Sequence, residues 1–173
     1  MTEDNSCSCK ECQNACKIKP GWFLPGEAEE AAKLKNMTLP DFFNKYLGVD
    51  WYGQLKNADK TDKNVFLLAP ATTKMRAGNE YLFNPHGQCV FYVNGKCDIH
   101  EAKPYECKEY LHGTPSDLLE DRHYKVAEKW NTPENQKQIQ KLLRRPPKVN
   151  NYLTPWDNDY WDNRNWMFGI DDY

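Results

Sequence analysis

The chain has no apolar run near the ~20 residues that a membrane-spanning helix needs. Its first residues, MTEDNSCSCK, lack the apolar core of a secretory signal. Neither charge is in excess: 23 Lys and Arg stand against 25 Asp and Glu, a net −2. That balance gives no electrostatic case for nucleic acid or for an anionic membrane surface. Short catalytic signatures are missing as well, with no P-loop, no Gly-x-Gly-x2-Gly, no His-Glu-x2-His and no Gly-x-Ser-x-Gly. Carboxylates are plentiful, but no pair stands out as acid and base, so the reading leans away from an enzyme. No repeat recurs at solenoid periods, and no cysteine follows residue 107. These absences point to one soluble, cytoplasmic domain of 173 residues. Six tryptophans argue against disorder throughout, because aromatic burial offsets chain entropy.

What is there is cysteine, in two groups. Cys7, Cys9, Cys12 and Cys16 crowd the N-terminus; Cys89, Cys97 and Cys107 follow after 72 intervening residues. Cytosolic thiols stay reduced, so clustered cysteines favour metal ligation over a disulfide framework. The odd count of seven would also leave one thiol over. Cys9-x2-Cys12-x3-Cys16 needs few residues fixed per ligand, and each thiolate gains from neutralisation by a cation. Three thiolates leave a tetrahedral site one short, and the fourth comes from Cys7 or from the second group. In the latter case the metal staples the chain across 72 residues.

The second group contains a hairpin signal. Asn94-Gly95 between Cys89–Val93 and Lys96–His100 suits a type I′ turn, which needs positive φ at both central positions. A two-residue turn pairs Val93 with Lys96, Tyr92 with Cys97 and Cys89 with His100. Directly opposed residues share a face, so Cys89 and His100 are placed to share a metal while Cys97 faces away. The cysteines then serve two centres, or a bulge turns Cys97 back. Seven cysteines and His100 supply eight ligands. His86 is a weaker ligand candidate, and His112 and His123 read as off-site and solvated.

Elsewhere, Cys7–Cys16 reads as a loop ordered by its ligand. Helices are predicted over 27–34, 39–47, 104–112, 115–130 and 133–145, with a buried strand at Val65–Ala69 and a polar connector over 53–64. Together they predict an α+β fold: a small, mostly helical single domain with a short β-hairpin, organised around a cysteine-ligated metal centre. Residues 1–148 form the metal-binding domain, with a helical extension over 113–148. From 149 to 173 the chain becomes an acidic, aromatic tail with five Asp against one Arg. That tail can dock on its own body or on a protein partner.

Three segments carry a resemblance: Cys9-x2-Cys12-x3-Cys16 followed by Gly21-Trp22-Phe23-x-Pro25-x-Glu27, then Cys89-x7-Cys97-Asp-Ile-His100, then Lys103-Pro104-x2-Cys107-Lys108-x-Tyr110. In this order and spacing, about residues 7–112 resemble the YkgJ-type cysteine-cluster family, held to chelate zinc or iron. The family usually closes its first motif with adjacent cysteines, whereas Lys17 follows Cys16 here and Cys7 is extra. Lys103 and Lys108 stand where it often has Arg. The resemblance implies Cys9, Cys12, Cys16, Cys89, Cys97 and Cys107 as metal ligands; Cys7 and His100 are further candidates from the ligand count and the hairpin register alone.

Thiolate ligation suits zinc or an iron–sulfur cluster and argues against calcium, magnesium and manganese. Two matched Cys-x2-Cys knuckles of a zinc ribbon are absent, and three close cysteines plus remote ones are the pattern of many iron–sulfur sites. The expectation is an iron–sulfur cluster for electron transfer or redox sensing. The alternative is structural zinc in an adaptor protein without chemistry of its own. Thiol–disulfide exchange at Cys9 and Cys12 is disfavoured, since that motif belongs at a helix start after a strand.

Overall fold

Residues 65–70 (VFLLAP) are buried at every position. A strand covered on both faces shows no apolar alternation, and this one forms the inner half of the main sheet. The computed structural model of the chain describes residues 10–56, 62–75, 77–78, 86–110 and 116–143, and within them all side chains except those of 11, 12, 54, 62 and 116–120. Strand β1 (Leu47–Lys56) pairs antiparallel with β2 (Asp62–Pro70), from Leu47 opposite Pro70 to Tyr52 opposite Val65. One extra residue in β1 then shifts the register, so that Leu55 faces Lys63. Such a bulge bends the strand and increases its twist.

Among the described residues, six α-helices accompany this ribbon. Helix α1 (Lys10–Ile18) carries the first cysteines, and α2 (Glu27–Leu34) buries Ala28, Ala31 and Ala32. Helix α3 (Leu39–Tyr46) starts at Thr38, whose hydroxyl accepts the Asp41 N–H, and it buries Phe42 and Phe43. A four-residue helix α4 (Tyr105–Lys108) carries Cys107. Helix α5 (Ser116–Trp130) packs on both strands, and α6 (Pro133–Leu142), capped by Thr132, packs on β2. The core joins Phe23, Phe43, Leu67, Leu68, Trp130 and Ile139, all essentially inaccessible to solvent.

The outer edge of β2 is covered rather than left to template another chain. Gln136 brackets Phe66, accepting its N–H at 3.1 Å and donating to its carbonyl at 2.9 Å. Two residues on, the Leu68 carbonyl accepts the Phe23 N–H at 3.1 Å. The Phe23 carbonyl accepts the Trp130 indole N–H at 2.7 Å. The loop after α1 is thereby clamped between sheet and α5.

This is a small α+β single domain, and it differs from expectation in several places. The segment around Cys12 and Cys16 is helix, not loop: Lys-Glu-Cys-Gln-Asn-Ala-Cys-Lys is rich in helix formers, and Cys12-x3-Cys16 is one helical turn. Strand β1 was not expected. It takes the end of the predicted 39–47 helix and part of the 53–64 connector, because buried β2 needs a partner for its backbone groups. The predicted 104–112 helix ends at Lys108, and a 3₁₀ turn (His100–Ala102) precedes it. The last two helices run 116–130 and 133–142. The tail and Cys7 and Cys9 lie outside the described residues.

Candidate functional site

The two cysteine groups, distant in sequence, meet through backbone hydrogen bonds. The last turn of a helix has carbonyls without intrahelical partners. In α1 the Cys16 carbonyl accepts the Cys89 N–H at 2.8 Å, and the Ile18 carbonyl accepts the Gly87 N–H at 2.7 Å. Cys89 also bridges Thr72 just beyond β2, so the second group is tied to helix and sheet together. Phe91 anchors the segment in the core, its ring stacked on Phe42 at 5.6 Å and beside Tyr46 at 5.2 Å.

The Asn94-Gly95 turn is as expected, with φ of 50° and 80°. Strands β3 (Tyr92–Val93) and β4 (Lys96–Cys97) pair Tyr92 with Cys97 and Val93 with Lys96. The ladder stops there. Residues 89–91 turn, with the Tyr92 N–H donating to the Cys89 carbonyl, and His100 enters the 3₁₀ turn. Cys89 and His100 therefore do not face each other as the extended hairpin predicted. Cys89 and Cys97, assigned above to opposite faces, line one cavity instead.

That cavity, about 340 Å³, is walled by Cys16, Cys89, Cys97 and Cys107, with Phe91, Tyr92 and Tyr110 around them. Its walls include Lys19, Lys103, Arg122 and His123 as well. His100 is not among the lining residues, and His86 is exposed. Cys12 stands one turn before Cys16 on α1 with its side chain outside the description; His112 lies outside the described residues. Among the described residues, no three His, Cys, Asp or Glu side chains form a group able to hold a single ion.

Two of these thiols, Cys89 and Cys107, are poor acids. Burial pushes Cys89 up to about 12, with the charges of Cys97 and Cys16 adding to it and the Phe91 and Tyr92 N–H groups opposing it. Burial likewise pushes Cys107 well up, helped by Cys89, Cys16 and Cys97 and opposed by the Gly21 N–H. Cys16 and Cys97 add to the raised values of Cys89 and Cys107, and a bound cation would reverse that effect, since a coordinating thiol is deprotonated outright. The backbone N–H groups already directed at sulfur suit a thiolate acceptor. Thiol sulfur is the donor type that zinc and iron–sulfur clusters take.

Three polar residues near Cys107 were not anticipated. Glu106 is buried; its Oε2 accepts the Trp22 N–H at 2.8 Å, and its Oε1 stands 2.5 Å from His123 Nδ1. His123, expected to be solvated, is half-buried against the Trp22 ring at 4.7 Å. Arg122, also buried, donates to the Glu109 carbonyl at 2.5 Å. The only sequence signal was the adjacency of Glu106 to Cys107; nothing in α5 marks His123 as facing inward.

No protein-family model, no curated protein and no solved structure matches the chain. Among the described residues, no helix is long and apolar enough to cross a membrane.

Proposed function

We propose that the chain is a metal-binding cysteine-cluster protein of the YkgJ type, carrying an iron–sulfur cluster in the thiol-lined cavity for electron transfer or redox sensing. The observation that carries this reading is the convergence of Cys16, Cys89, Cys97 and Cys107 on the walls of one cavity. A single zinc ion needs only its four contacts at ~2.3 Å. A space of about 340 Å³ has room for a larger inorganic body, and this favours a cluster over zinc. Cys9 and Cys12 join the ligand set by resemblance, and Cys7 and His100 stand as further candidate ligands.

Bound there, the group would supply one-electron redox chemistry, its potential set by solvent access and by hydrogen bonds to sulfur. The chain's own contribution is to hold the thiols, exclude water with Phe91 and the Tyr92 and Tyr110 rings, and direct the Gly21 N–H at Cys107. The role needs no catalytic residue and assigns none. It places the protein in the reducing cytoplasm, with a redox partner engaged through the acidic, aromatic 149–173 tail.

The test is metal and acid-labile sulfide content, with the visible spectrum, of protein purified without oxygen. Iron with matching sulfide and broad visible absorption supports the proposal. Stoichiometric zinc without sulfide would make the site structural and the protein an adaptor. Fully titratable thiols with neither metal would overturn the metal reading. Cys107→Ser and Cys12→Ser are both expected to lose metal and solubility; a Cys107→Ser protein with unchanged metal content and melting would remove the shared centre.

A further inference from the structure

The stretch Gly21-Trp22-Phe23-Leu24-Pro25-Gly26-Glu27 contains no thiol, yet it is laced to the short helix that carries Cys107. The Gly21 N–H donates to Cys107 sulfur, and the Trp22 N–H donates to Glu106 Oε2 at 2.8 Å. Glu27, whose side chain is 13% exposed, closes the other side. Its Oε2 accepts the Tyr105 N–H at 2.8 Å, and its Oε1 accepts from Lys108 Nζ at 2.7 Å. Both ends of the Tyr105–Lys108 turn thus hang on one carboxylate. The same Oε2 accepts the Leu24 N–H at 2.8 Å, which fixes Glu27 to its own loop.

The approach leaves no slack. A Cβ at Gly21 would come within 2.9 Å of Cys107 Sγ and of Glu106 Cβ, and 3.1 Å from the Cys107 backbone nitrogen. Residue 21 is glycine here for its size. A four-residue helix has too few internal hydrogen bonds to hold itself, so the position of the Cys107 sulfur is decided by what grips the turn from outside.

We infer that Glu27 is the positioning residue of Cys107: its carboxylate, bonded to both ends of α4, holds the thiol at the cavity wall against the Gly21 N–H. The inference rests on reading Cys107 as a ligand, but its test needs no metal. The full chain is treated with chelator under reducing, anaerobic conditions. Alkylation of Cys107 and Cys89 by N-ethylmaleimide is then followed separately by peptide mass spectrometry.

Reaction of a held thiol waits on local opening. Losing charge-assisted bonds at α4 is expected to raise the Cys107 rate in Glu27→Ala roughly tenfold or more, with Cys89 changing less than about twofold. Glu27→Gln keeps an acceptor for the Tyr105 N–H and is expected to fall between wild type and Glu27→Ala. That graded rescue, confined to one thiol, is what general destabilisation would not produce. An unchanged Cys107 rate in Glu27→Ala, or an equal rise at Cys89, overturns the inference. Should Glu27→Ala fail to fold, Glu27→Gln decides alone: a rise confined to Cys107 supports the assignment and no rise overturns it. A chain that never binds metal still returns both rates, so failure of the metal reading is separately visible.

Discussion

The sheet half and the cysteine half of this molecule are held together by different physics. Around β1 and β2, Phe43, Leu67, Leu68, Trp130 and Ile139 interlock in a dry core, and the strand edge is closed by Gln136 and Phe23. Around the cavity the elements are short: two strands of two residues, a 3₁₀ turn and one turn of helix. There backbone-to-backbone and backbone-to-carboxylate bonds add to the burial of Phe91 and Ile99. Apolar packing needs no ligand, whereas the metal proposed for the cysteine half would add to what holds it. The difference teaches where a bound group would act: on the cysteine half.

The sharpest way to break this contrast is to damage the sheet half. Trp130→Ala empties a fully buried site and orphans the Phe23 carbonyl, and it is expected to cost about 3–5 kcal/mol in denaturant unfolding. The loss should appear with or without chelator, and a loss seen only in metal-loaded protein would dissolve the distinction between the halves. Metal removal is the converse. If the group is bound at 100 times its Kd, stripping it is expected to withdraw about 2.7 kcal/mol. Amide exchange should then accelerate at Cys89, Asp98 and Cys107 while Leu67 and Leu68 stay protected. Uniform acceleration would show one cooperative unit instead.

Alkaline pH gives a smaller and graded effect. The folded thiol of Cys89 is raised from 9.0 to about 12, so the unfolded chain releases its proton first as pH rises. The stabilisation is complete below about 9 and is lost progressively up to about 12. Each pH unit within that window costs at most about 1.4 kcal/mol from Cys89, with Cys107 acting in the same direction. Metal-stripped protein should show this in urea melts at pH 8, 9 and 10; a flat profile would mean that the thiols are not buried as described. The smallest effect is a control in the sheet half. Thr132→Ala removes the hydroxyl that accepts the Asn135 N–H at 3.2 Å, and about 1 kcal/mol of stability with it. Thermal melting should register that loss while metal content stays unchanged.

Local chemistry was legible in the sequence wherever it acts over a few residues. The Thr38 and Thr132 caps, the Asn94-Gly95 turn and the helix over 27–34 follow from side chains bonding their own neighbourhood or from φ preferences. Strand β1 was not legible, because Leu47–Tyr52 becomes a strand only by pairing with β2. His123 was misjudged for a related reason: a histidine among charged residues looks solvated until Trp22 and Glu106, from two other elements, close over it.

By itself the sequence determined the soft-donor chemistry of this protein, since the number, type and grouping of cysteines are composition and need no fold to be counted. It also determined the local stops and starts of its helices. Only the tertiary structure decided which thiols meet. The partners of Cys16, Cys89, Cys97 and Cys107 lie across loops and elements whose closure depends on long-range backbone bonds: Cys89 to Cys16, Trp22 to Glu106, and Tyr105 to Glu27. Spacing along a chain says how far residues can reach, and the carbonyls left over at the end of α1 say where the second cysteine group comes to rest.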